Sequence, residues 1–188
     1  EKNAVDKRFN YEPLLSAHAT NELSSFSFAG KTMQLPIWIS SMPGGTQQAK
    51  VINTNLARAC NEFGLGMGIG SCRVLLEDKK HLPDFDLRPI IGDKAPFCAN
   101  LGIAQLEQLV DTQSTEKIDE LGELLNADGI IIHINPLQEF FQPEGELFKR
   151  PPIDTLIDFL DKSAVRVIIK EVGQGMGPKS MKHLLQLP

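Results

Sequence analysis

Four polar side chains stand close together where an aliphatic run ends: His133, Asn135, Gln138 and Glu139, within GIIIHINPLQEFFQPEG, residues 129–145. An imidazole two residues from an amide could bind an anion or position a proton, although a lone histidine is more often a satisfied core or rim residue than a catalyst. A carboxylate beside an amide could hold Mg²⁺, which takes one or two protein oxygens together with substrate phosphate; otherwise Glu139 is a surface acid. Ser71 and Arg73 offer a hydroxyl and a guanidinium to phosphate. Asn100 could cap a strand or hydrogen-bond a heterocycle. Lys170 interrupts the aliphatic run VRVIIKEV, where an unpaired ammonium is costly to bury, so it needs a salt bridge or an anionic ligand. Lys7 and Arg8 form an adjacent cationic pair, either solvated at a terminus or part of an anion-binding arm.

These groups need elements to place them. Ile130, Ile132 and Ile134 would share one face of a strand, and Ile131, His133 and Asn135 the other. Pro136 should end that strand, because proline cannot donate to a sheet ladder. Leu35–Ser41, Gly64–Ser71, Ala95–Asn100 and Val165–Val172 are four further strand candidates. Between them, Ala49, Ile52, Leu56, Ala59 and Phe63 repeat at helical spacing, and Gly64 is placed to stop that helix. Ile118, Leu121, Leu124 and Leu125 mark a second helix, capped at Ser114 or Thr115. Ile153, Leu156, Ile157 and Leu160 mark a third, entered through Pro151 and Pro152. A last helix follows the glycine-rich turn 173–178. Residues 78–94 read as a loop.

Gly64-Leu65-Gly66-Met67-Gly68-Ile69-Gly70-Ser71 fails the G-x-G-x-x-G dinucleotide pattern. As a strand it places Gly66, Gly68 and Gly70 on one nearly bare face. That bareness admits either a flat ligand or a tightly packed neighbour.

A chain of 188 residues is long enough for one domain with a real core. A formal charge of −5 argues against non-specific nucleic-acid binding. No apolar run approaches a membrane span, and the start EKNAVDKRFNYEP has no signal-peptide core. Three cysteines without C-x-x-C spacing fit reduced thiols, and with them a cytoplasmic protein, better than a disulfide framework or a zinc site. The missing initiator Met and the stop at Pro188 lead us to expect a longer parent.

Strands recurring every 30–36 residues, each followed by a helix, imply an α/β fold with a parallel sheet. Both an open sheet and a barrel fit. The barrel is favoured because every strand ends in polar or glycine-rich sequence, as a common mouth requires. The expectation is therefore a TIM barrel of which about five βα units are present. Residues 1–34 would form an N-terminal arm, polar and irregular to about residue 30, and residues 35–188 the partial barrel.

The motifs ISSMPGG, MGIGSCR, ANLGIAQL, HINPLQE with QPEG, and IIKEVGQGMG, in that order, resemble the type 2, flavin-dependent isopentenyl-diphosphate isomerases from Pro36 to Pro188. Their wording is similar to versions from the Bacteroidetes. The resemblance implies a (β/α)8 barrel that binds FMN, takes reducing equivalents from NADPH, uses Mg²⁺, and interconverts isopentenyl and dimethylallyl diphosphate. It implies a homo-oligomer, a tetramer or octamer, with no membrane or nucleic-acid partner.

Carried over by motif, Ser41, Met42, Pro43, Ser71, Asn100 and Lys170 would flank the flavin. Ser71, Cys72, Arg73, His133 and Asn135 would meet the diphosphate, with Lys7 and Arg8 closing over it. Gln138 would sit at the reacting carbons, and Glu139 would hold Mg²⁺. The sequence departs from the family where Pro43 replaces Thr, Cys72 replaces Gln, and Tyr11 stands where a His is usual. If the molecule ended at Pro188, weak flavin binding and no activity would be expected. An FMN-dependent oxidoreductase and an inactive fragment are the rival expectations.

Overall fold

The computed structural model describes residues 14–15, 17–18, 24–42 and 47–188. Lys7, Arg8, Tyr11 and Pro43 lie outside them.

Residues 24–33 are not irregular. β1 (Phe26–Phe28) and β2 (Lys31–Met33) pair antiparallel. Ala29 and Gly30 make the two-residue turn with φ of 50° and 78°. Positive φ at both turn residues matches the twist of a tight hairpin. An Ala in the place where Asn or Asp is usual hid it from a sequence reading.

The main sheet runs in chain order. β3 (Trp38–Ile39), β4 (Gly66–Gly68), β5 (Phe97–Gly102), β6 (Gly129–His133) and β7 (Val167–Lys170) are all parallel. Here the expected TIM barrel is corrected. Among the described residues β3 and β7 each pair on one side only, so the sheet is an open five-stranded α/β layer. The reason the sequence misled is topological. Successive parallel strands joined by right-handed crossovers carry their helices on one face and their C-terminal tips along one edge. Polar tips therefore gather without the sheet having to close.

The crossovers are α1 (Gln47–Phe63), then α2 (Arg73–Glu77), a 3-10 turn (Lys79–Asp84) and α3 (Arg88–Ile91). After β5 come α4 (Ile103–Asp111) and α5 (Glu116–Leu125). After β6 come α6 (Pro136–Phe141) and α7 (Pro152–Leu160), and after β7 comes α8 (Pro178–Leu184).

Several local expectations hold. Gly64 stops α1 with φ 64°, Pro136 begins α6 as β6 ends, and Pro152 opens α7. Others shift. α1 buries Ala49, Ala57 and Cys60, while Ile52 and Phe63 stay exposed. Small side chains face inward so that the helix can lie close to its neighbours. Residues 78–94 are largely helical rather than a loop, and α4 forms where no helix is expected, although Ile103, Leu106 and Val110 keep helical spacing.

The core lies between the helices and one face of the sheet. Met67, Ile69, Phe97, Ala99, Leu101, Ile130 and Ile132 point into it, with Leu106, Ile118, Leu125, Leu156 and Phe159 from the helices. A fully buried aliphatic or aromatic side chain contributes about 1.5–3 kcal/mol over exposure. Register puts Trp38, Gly66, Gly68, Asn100, Ile131, His133, Ile168 and Lys170 on the opposite face. Among the described residues, no helix is long and apolar enough to cross a membrane.

Candidate active site

The C-terminal ends of the strands surround a cleft of about 340 Å³ lined by Ser41, Met42, Gly70, Ser71, Asn100, His133, Gln138, Lys170 and Val172. His133 and Lys170 stand side by side because β6 and β7 pair them in register. Asn100 is the bridge across the strands. Its Nδ2 donates to Ser41 Oγ at 2.8 Å, and its Oδ1 lies 2.7 Å from His133 Nδ1. An amide oxygen beside Nδ1 selects the Nδ1–H tautomer, which leaves Nε2 as an acceptor. Burial, and then the Lys170 charge, hold the His133 pKa below the ordinary imidazole value; Glu139 opposes them and Arg73 adds to them. His133 is therefore neutral near pH 7.

Two buried polar atoms here have no partner among the described residues: Ser71 Oγ, in the lining, and Asn135 Oδ1, beside it. Buried polar atoms are nearly always hydrogen-bonded, so each of these fits a group supplied by a ligand. Lys170 Nζ donates to the Glu171 carbonyl at 2.8 Å. An ammonium has three N–H groups, which leaves capacity for an anion.

Not every expected residue reaches the cleft. Cys72 is fully buried in the core; its Sγ lies 3.4 Å from the Gly70 carbonyl, and burial pushes the thiol up to about 12. It braces the turn beneath Ser71 and presents nothing to a ligand. Arg73 opens α2 and lines a neighbouring cleft with Gln105, Glu144 and Glu146. Met42 is exposed at the entrance.

Glu139 sits behind the lining, joined to Gln138 through Asn135. Asn135 Nδ2 donates to Glu139 Oε1 at 2.7 Å and to Gln138 Oε1 at 3.3 Å. The Glu146 backbone N–H donates to Glu139 Oε2 at 2.7 Å. Among the described residues no cluster of three His, Cys, Asp or Glu could cage a metal ion. One carboxylate is still enough for Mg²⁺ shared with a polyphosphate.

The glycine face of β4 resolves in favour of packing. A Cβ at Gly66 would overlap the Trp38 ring, and one at Gly68 would overlap Ile131 Cδ1. At the other end, Gly70 lies in the cleft lining. Gln105 and Glu146, which the sequence reading did not single out, tie the rim together. A Gln three residues past Gly102 was a visible signal of a cap; nothing in the sequence marked Glu146.

No family model matches the chain. It is 40% identical over 162 residues to the isopentenyl-diphosphate delta-isomerase of Rickettsia felis, covering 85% of this chain and 45% of that protein. The protein of the same name in Rickettsia akari is 39% identical over 167 residues, covering 87% and 47%. The one in Rickettsia typhi is 36% identical over 180 residues, covering 96% and 52%. The chain thus spans about half the length of these curated relatives, and over nearly all of its own length it is similar to proteins named isopentenyl-diphosphate delta-isomerase.

Proposed function

We propose that this chain carries the ligand-facing cleft of a type 2, FMN-dependent isopentenyl-diphosphate delta-isomerase. The observation that carries the reading is the cleft itself: a lysine, a neutral histidine and a buried serine hydroxyl with no partner among the described residues share one opening, in a chain similar to proteins named isopentenyl-diphosphate delta-isomerase. Moving a double bond in an allylic diphosphate requires anion binding, exclusion of water and one proton gained for one lost.

The hydroxyls, amide and ammonium that line the cleft support a flavin site, and the carboxylate behind it supports a metal shared with the diphosphate. Ser41, Ser71, Asn100 and Lys170, with Met42 and Pro43, would hold FMN, and Glu139 would hold Mg²⁺. Reduced FMN, kept so by NADPH, would supply the acid–base chemistry, and Mg²⁺ would screen diphosphate charge. The chain's own residues bind and orient. His133 Nε2 accepts a hydrogen bond from a protonated ligand oxygen or a ring N–H. Asn135 holds Gln138 and Glu139 in register, so that an amide would face the reacting carbons and the carboxylate would be steadied for the metal. Arg73, Lys7 and Arg8 would complete the diphosphate contacts.

The test is to incubate the full-length protein that carries this chain anaerobically with FMN, NADPH, Mg²⁺ and isopentenyl diphosphate. Formation of the dimethylallyl isomer without stoichiometric NADPH use is expected. Steady NADPH consumption with no isomer would instead indicate an oxidoreductase, and no flavin binding with no isomer would end the proposal.

A further inference from the structure

Glu146 sits where three parts of the rim meet. Its backbone N–H holds Glu139, and its carboxylate accepts from Gln105 Nε2. Gln105 Oε1 in turn accepts from the Gly102 N–H at 3.1 Å. On its other side, the Glu146 carboxylate lies 3.6 Å from Arg73 Nη1. The approach depends on Gly145, where a Cβ would overlap the Glu139 carbonyl. The loop therefore folds back onto α6 and delivers its carboxylate to Arg73. Arg73 lines the neighbouring cleft, yet its charge is felt by His133 inside the candidate site.

We propose that Glu146 is a positioning residue that parks Arg73 at the rim in the ligand-free protein and yields it to a diphosphate. This rests on the reading of the cleft as a diphosphate site. Both partners are about half exposed, 57% and 48%, so water screens the pair and it is readily exchanged. A diphosphate carries more charge and offers a guanidinium two oxygens at once. Gln105 keeps its bond to Glu146 during the exchange, so the backbone N–H on Glu139 stays in place.

The test is a calorimetric titration with inorganic diphosphate in the presence of Mg²⁺. It compares the wild-type protein with Glu146→Gln, Arg73→Gln, the double variant, and Glu144→Gln. Glutamine at 146 still accepts from Gln105 but no longer attracts Arg73, so affinity should rise about two- to fivefold, the range that exposed pairs command. In the Arg73→Gln background the gain should vanish. Glu144→Gln removes the same charge from the same neighbouring cleft and should leave affinity unchanged. A gain that persists without Arg73, an equal gain from Glu144→Gln, or no gain at all overturns the inference. Failure of the wild-type protein to bind diphosphate would remove the functional reading together with it. Wild-type binding that Glu146→Gln leaves unaltered would remove the exchange alone.

Discussion

Arg88 and Lys170 are both cations set against strand ends, one at each end of the same sheet. Arg88, at the N-terminal end, commits four of its five N–H donors to the protein. Its Nε donates to the Asn126 carbonyl, Nη1 to the Gly92 and Ala95 carbonyls, and Nη2 to Asp128 Oδ2 at 2.8 Å. Asp128 Oδ2 also accepts from the Phe97 N–H at 2.9 Å, and Lys31 of the hairpin lies 3.5 Å from its Oδ1. The guanidinium also stacks 5.3 Å from the Phe97 ring centroid. Lys170, at the C-terminal end, donates to a neighbouring carbonyl in a cleft that contains the unpartnered Ser71 hydroxyl. A cation that holds strands together has most of its donors used by the protein. Lys170, for which we propose an anionic ligand, keeps donors in reserve.

Four measurements would break or sharpen that contrast. Asp128→Ala leaves Arg88 buried without its counter-charge, and should cost about 3–5 kcal/mol in urea unfolding. A loss below about 1 kcal/mol would dissolve the distinction between the two ends. Gly68→Ala pushes a methyl into Ile131 and should cost about 1–3 kcal/mol through overpacking. If it spared stability and instead abolished flavin binding, the bare face of β4 would be a ligand cradle after all.

Ser71→Ala removes a buried hydroxyl that has no partner. It should therefore stabilise the ligand-free protein by about 1 kcal/mol, whereas Ser41→Ala, which breaks a bond to Asn100, should cost about 1 kcal/mol. Equal losses for the two serines in thermal melts would show that Ser71 is already satisfied.

The smallest effect concerns pH. The folded-state pKa of His133 lies below its unfolded value near 6.5, so the unfolded chain binds the proton more readily. Stability from this group is complete above pH 6.5. It declines as pH falls through that value toward the lower folded pKa. His133→Asn should flatten this part of the stability profile, and an unaltered profile would assign the slope elsewhere.

Much of the scaffold was legible in the sequence, because periodicity and backbone chemistry are local. The alternation of Ile130, Ile132 and Ile134 with Ile131 and His133 follows from the strand repeat of two. Gly64 and Pro136 act through their own φ angles. The positions of the parallel strands and the grouping of Ser71, Asn100, His133 and Lys170 at one end were readable for the same reason. The hairpin at Phe26–Met33 and helix α4 escaped because their signals were weaker, an Ala-Gly turn and a short apolar stripe.

The sequence by itself determined which residues face which side of each strand, and so which polar groups could meet. Only the tertiary structure decided that the sheet stays open among the described residues, because closure depends on what each edge strand pairs with. It alone showed that Cys72 is core, that Trp38 and Ile131 fill the glycine face, and that Glu146 reaches Arg73 across three elements. These are long-range steric and electrostatic facts. They depend on how far apart two segments lie in space, and neither composition nor period carries that distance.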